Sequence, residues 1–229
     1  MATLFTMWSP GNIFPKPASN QSANSNTSRL TATPHPSLTP GLRPKIALIS
    51  GHMNNDSGAT CPDGLTEASV NYSIAFLLQR MLREDGFDVD IMGEYDERLF
   101  QFEGLLMLSI HNDTCQFIST DMSGFKVAVS YVNPIPENPK RLLSCLSDRY
   151  AKRTDLRYHP NTITPDMTRY HAFDEINSKT TAAIIETGFL NMDRDILVKQ
   201  TERVVQGIRE GILCFVRNEP VAPTTVPTP

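Results

Sequence analysis

Short runs of continuous apolar residues alternate along this chain with stretches whose apolar side chains recur every three or four positions, and that alternation limits the fold more than any other feature. Residues 45–50 read as a strand covered on both faces, because a strand with one wet face would alternate apolar with polar side chains. Further strands are expected over 105–110, 124–132 and 182–185, and residues 87–92 alternate as a strand should. Between them, Val70, Ile74, Leu77, Leu78, Met81 and Leu82 share one side of a helix expected over 67–85. Thr66 suits its N-cap, Leu65 is placed to pack on Val70, and Gly86 supplies the stop. A polar helix is expected over 138–152, and Val204, Val205, Ile208, Ile212 and Phe215 mark a closing amphipathic helix. Strand–helix alternation of this kind predicts a single α/β domain: a largely parallel, mixed sheet with helices on both faces.

The flanks obey no such period. Residues 1–44 are rich in Pro, Ser, Thr and Asn and hold no Asp or Glu, so they cannot bury enough surface to offset their ordering entropy; a disordered leader is expected. A similar Pro/Thr tail spans 218–229, which leaves 45–217 as the folded unit. The net charge of −4 lacks the basic clustering of nucleic-acid binders. No apolar stretch approaches the ~20 residues needed to span a membrane. The N-terminus has neither the basic start nor the apolar run of a secretory signal. Cys61, Cys115, Cys145 and Cys214 show no CxxC spacing and no dense framework, and are read as free thiols. Cys61 and Cys115 both fall in loops beside candidate ligands, which leaves a bond between that pair open.

Open α/β sheets bind ligands beyond the carboxyl ends of their strands. His52 follows the first strand directly, His111 follows the strand 105–110, and Glu186 ends the strand 182–185. Glu67 opens the first long helix, and a loop over 51–66 folding across the sheet edge would bring it to His52. Two histidines and a carboxylate make the ligand set of a catalytic zinc with one position left for water, and a second glutamate beside it can serve as general base. Each residue has a plainer reading. A histidine after a strand also serves as a hydrogen-bonded packing residue, and Glu67 suits a helix N-terminus whatever else it does. Glu186 resists that treatment, since an acid ending an apolar strand is costly to bury without a partner. His35 lies in the leader, and His159 and His171 in a polar segment after 154, without the short spacing of a local metal motif.

These residues sit in blocks that resemble the zinc-dependent N-acetylmuramoyl-L-alanine amidases of bacteria and phages. Gly51-His52 with Asp56 and Gly58-Ala59, then Gly64-Leu65-Thr66-Glu67, then Ser109-Ile110-His111, then Ser123-Gly124, then Glu186-Thr187-Gly188-Phe189-Leu190-Asn191 follow one another in the family's order. The resemblance implies that one zinc ion is held by His52, Glu67 and His111, with Glu186 as catalytic acid/base. The implied substrate is the amide joining the muramic lactyl group to L-alanine in peptidoglycan. Met53 and Asn54 stand where the family has a pair of glycines, and Met92-Gly93 where it often has Thr-Arg.

Two other readings compete. A carboxypeptidase-like zinc peptidase would need an anchoring arginine, with Arg153, Arg157 and Arg169 as candidates, and usually carries His-x-x-Glu, whereas His52 and Glu67 are 15 apart. A non-catalytic wall-binding module would have no use for Glu186 beside three ligands. A monomer acting on the cell wall is expected, with a phage lysin, release on lysis or unusual export all compatible with the chain.

Overall fold

Five strands line up in the order β2-β1-β3-β5-β4: β1 (Lys45–Ser50), β2 (Asp88–Met92), β3 (Leu106–Asp113), β4 (Lys126–Val129) and β5 (Thr181–Phe189). Every neighbouring pair is parallel except β4 with β5. The structure, a computed structural model, describes residues 43–221; most of the expected leader and tail, with His35, lies outside the described residues. Along the chain come α1 (Glu67–Glu84), α2 (Glu137–Thr154), the single turns α3 (Pro165–Thr168) and α4 (Ala172–Glu175), and α5 (Thr201–Val216). This is the mixed, mostly parallel α/β sheet that the alternation predicts.

The two faces of the sheet are coated unequally, and strand parity decides which residue meets which coat. Ile46, Leu48, Leu106, Leu108, Ile110, Val127, Val129, Ala183 and Ile185 pack with the apolar stripes of α1, α2 and α5. Ala47, Ile49, Met107, Ala128, Ala182 and Ile184 meet a thinner layer carrying Met167, Tyr170, Phe173 and Ile176. Three alanines on that second face leave room for irregular chain to lie close to the sheet. No helix among the described residues is long and apolar enough to cross a membrane.

Two strands outrun their apolar runs. β3 continues through His111 to Asp113 and β5 through Glu186 to Phe189, because their polar ends find partners. The Thr187 hydroxyl donates to Asn112 Oδ1 (2.6 Å), Asn112 Nδ2 donates to Asn71 Oδ1 (2.6 Å), and the buried Tyr150 hydroxyl donates to the Thr187 carbonyl (2.6 Å). With these groups satisfied, the ladder need not stop where hydrophobicity does.

The reading of the cysteines as free thiols is overturned: all four are paired. Cys61 bonds Cys115 across the loops before α1 and after β3, with Cα atoms 5.3 Å apart, and Cys145 on α2 bonds Cys214 on α5 at 5.7 Å. The partners are 54 and 69 residues apart in sequence, so packing rather than local spacing brings them together.

Candidate metal centre

β1 hands over to His52 through a turn that only a small residue permits. A Cβ on Gly51 would lie 2.4 Å from the His111 ring, so glycine is what lets β1 and β3 bring their histidines together. His52 itself has φ +66 and Asn54 φ +64, a left-handed backbone that costs about 1–2 kcal/mol for a residue with a side chain. Among residues with a side chain asparagine tolerates it well, which accounts for Asn54 at a position where the family places glycine. Gly58, at φ +61, lies so close that a Cβ there would meet Glu67 Oε2 at 2.6 Å and the His52 ring at 2.7 Å.

Glu67 is the first residue of α1, capped by Thr66, whose hydroxyl oxygen accepts the Ser69 N–H at 3.3 Å. A carboxylate there also favours the helix dipole. Its Oε1 lies 3.2 Å from His52 Nε2 and 3.1 Å from His111 Nδ1, and accepts the Asn112 N–H at 3.2 Å. Its Oε2 accepts the Ala59 N–H at 3.1 Å. One ligand atom from each of His52, Glu67 and His111 falls within 4.8 Å of the other two. Two imidazoles and a carboxylate converging at that spacing are a donor set suited to zinc.

The charges of this cluster are set by mutual contact. Burial works against the ionised form of Glu67, but its hydrogen bonds with His111 and His52 outweigh it and hold the carboxyl well below the usual range. The Glu67 contact, opposed by burial, raises His52 to about 9. Burial likewise opposes charge on His111, yet contacts with Glu67 and Glu94 carry it to about 10.

Glu186 has the opposite surroundings. It pairs in register with His111 on β3 and with Lys126 on β4, so the three side chains share one row on the thinly coated face. Its Oε2 is buried without a hydrogen-bond partner. Burial pushes its carboxyl up to about 7; the charge of His111 opposes the rise and that of Glu67 adds to it. The Lys126 ammonium beside it is paired with Asp113 rather than with Glu186.

An outer ring of carboxylates holds the histidines. Asp56 Oδ1 lies 2.6 Å from His52 Nδ1. Glu94 Oε1 lies 3.2 Å from His111 Nε2, while its Oε2 accepts the main-chain N–H of His52 at 3.1 Å. Burial disfavours charge on Glu94, but the His111 contact prevails and lowers its pKa. Sequence reasoning passes over Glu94, although it follows β2 by two residues and the strand-end rule, applied to that strand, points to it. The other described histidines, His159 and His171, have partners outside the cluster. His159 Nε2 donates to the Ser123 carbonyl at 2.6 Å, and His171 stacks on Tyr95 and pairs with Glu175. Arg153 pairs with Glu210 on α5, and Arg169 lines a cavity of about 660 Å³ between β4 and residues 158–169, whose lining includes none of the cluster.

The model of a known family, described as N-acetylmuramoyl-L-alanine amidase, matches residues 46–217. None of the curated proteins matches significantly. Among solved structures, the chain is similar to the CwlD amidase of Clostridioides difficile, described in complex with the GerS lipoprotein. The TM-score is 0.60 at 18% identity, covering 77% of this chain and 100% of that one. An N-acetylmuramyl-L-alanine amidase of Mycobacterium smegmatis gives 0.59 at 15%, covering 77% and 98%. The catalytic domain of the CD27L endolysin, described as targeting Clostridia Difficile, gives 0.54 at 17%, covering 79% and 100%. At these identities the structural likeness shows the fold.

Proposed function

The chain belongs to the N-acetylmuramoyl-L-alanine amidase family, and on that premise we propose that it hydrolyses the amide between the muramic lactyl group and L-alanine in peptidoglycan, with one zinc ion held by His52, Glu67 and His111 and with Glu186 moving the proton. Bound there, zinc supplies Lewis acidity that polarises the scissile carbonyl and brings the pKa of water to about 7. Glu67 keeps its charge because its hydrogen bonds with His111, His52 and the Ala59 N–H outweigh its burial. Glu186, at about 7, is poised between its two protonation states near neutral pH. It takes a proton from the attacking water and returns it to the departing amide nitrogen. Lys126 stands in register with it on the far side from His111, and its pairing with Asp113 leaves the Glu186 oxygens free to exchange that proton.

The observation that carries this reading is the buried, partnerless oxygen of Glu186 beside the ring of His111. Buried acids without donors are strained unless a ligand or a reaction uses them. The two disulfides favour a working place outside a reducing cytoplasm, as a wall substrate requires. The chain is proposed to act as a monomer. Incubation of zinc-loaded protein with intact peptidoglycan is expected to yield new muramic lactyl carboxyls and free L-alanine N-termini in equal amounts. Cleavage elsewhere in the stem peptide would overturn the amide assignment.

A further inference from the structure

His52 and His111 present different ring nitrogens to Glu67. His52 uses Nε2, at 3.2 Å, and turns Nδ1 to Asp56 at 2.6 Å. His111 uses Nδ1, at 3.1 Å, and turns Nε2 to Glu94 at 3.2 Å. That last contact is an ion-pair distance without hydrogen-bond geometry, and His111 Nε2 has no hydrogen-bond partner among the described residues. Glu94 is the carboxylate that faces this nitrogen, as Asp56 faces Nδ1 of His52, and it does a second thing as well. Its other oxygen takes the main-chain N–H of His52, whose backbone is held in the left-handed region.

A third contact fixes the chemistry that position 94 must have. The Ser109 hydroxyl donates to the Tyr170 oxygen at 3.0 Å, which leaves the Tyr170 proton to point at Glu94 Oε1, 3.5 Å away. Two hydrogen bonds, from the His52 N–H and the Tyr170 O–H, and the ion-pair contact of the His111 ring thus converge on one buried side chain. Only an ionised carboxylate offers acceptors alone, with two oxygens to share among them. A glutamine of the same shape would turn an NH₂ toward one of these donors.

We infer that Glu94 is a positioning residue: it clamps His52 through the main chain and His111 through its ring, and so commits the two histidines to a shared cation through opposite nitrogens, Nε2 of His52 and Nδ1 of His111. The inference rests on the metal reading of these histidines. It adds a member to the site from the turn after β2, a part of the chain that contributes none of the proposed ligands. A ligand whose outer N–H is fixed by a carboxylate keeps one tautomer and one ring orientation, and losing such a partner commonly weakens metal binding by roughly 10–100-fold.

The test uses zinc-loaded protein with ¹⁵N-labelled histidine, read by long-range ¹H–¹⁵N correlation. His111 is expected to carry its proton on Nε2 and metal on Nδ1, and His52 the reverse. Metal on His111 Nε2 would overturn the role of Glu94 while leaving the metal reading intact. No zinc response at either histidine would overturn both. Competition with a chromophoric chelator provides the second arm. Glu94→Gln is expected to bind zinc roughly 10–100-fold more weakly and to shift the visible spectrum of the cobalt-loaded protein, with Glu94→Asp recovering part of the loss. Zinc affinity and cobalt spectrum unchanged in Glu94→Gln would refute the clamp. If that variant does not fold, the tautomer measurement on the parent protein still decides.

Discussion

The start of α1 and the second half of β5 each bring one glutamate to the ring of His111, and the two carboxylates live in opposite conditions. Glu67 is surrounded by donors: two imidazoles, the main-chain N–H groups of Ala59 and Asn112, and a helix N-terminus. Glu186 stands on an apolar strand with one oxygen buried and unpartnered. The first is held ionised far below the usual carboxylate range, and the second is pushed up to about 7. One residue type at one end of the sheet thus meets two environments, one that holds charge and one that, in the proposed reaction, suits it to exchange a proton. Environment makes that division.

The largest effect expected is on the saturated side. Glu67→Gln removes a proposed ligand and leaves its donors facing an amide. It is expected to abolish turnover and to weaken zinc binding beyond the roughly 10–100-fold that loss of an outer partner causes, measured by chelator competition. Retained zinc affinity would erase the contrast between the two glutamates.

Acidity should probe the same side more gently. Protons and metal compete for the imidazole nitrogens, and in the protein alone His52 and His111 hold their protons up to about 9 and 10. Raised histidine values mean that proton loss becomes easier as pH climbs toward them, so zinc affinity should rise steadily from pH 6 to pH 9. The slope is roughly tenfold per pH unit for each proton displaced, with protons released into weakly buffered solution. A flat profile would show that the carboxylates do not hold these rings as described.

The disulfides sharpen the comparison by separating the Glu67 arm from the rest of the fold. Cys61–Cys115 ties the loop entering α1 to the loop leaving β3, whereas Cys145–Cys214 staples α2 to α5 within the core. Replacing Cys145 and Cys214 with serine is expected to lower stability by about 2–4 kcal/mol, read by urea unfolding, with zinc affinity unchanged. Replacing Cys61 and Cys115 is expected to loosen zinc severalfold. Equal effects of the two pairs on zinc would break the distinction.

How much of this was legible in the sequence follows from which forces are local. The sheet, α1 with its Thr66 cap, and the closing helix were readable because periodicity and capping act within a few residues. His52, Glu67, His111 and Glu186 were readable as strand-end or helix-start polar groups, and the structure brings the first three together and sets the fourth in register with His111. The pairing of Cys145 with Cys214 was hidden because it depends on how α2 crosses α5. The lengths of β3 and β5 were hidden because hydrogen bonds among Asn71, Asn112, Thr187 and Tyr150 extend them past their apolar runs. Glu94 was missed because its significance lies in three contacts, from the turn after β1, from β3 and from the segment before α4, that meet only in the folded chain.

The most direct test of the division between the two glutamates is Glu186→Gln, assayed for bound zinc, melting temperature and turnover on one preparation. Ionising a buried acid whose pKa is raised from 4.5 to about 7 removes stability as pH climbs through that window, so at pH 8 the neutral amide should relieve it. Parental zinc content, a melting temperature at pH 8 equal to or above the parent's, and turnover reduced by roughly 100-fold or more are expected. Parental turnover with zinc in place would contradict that division.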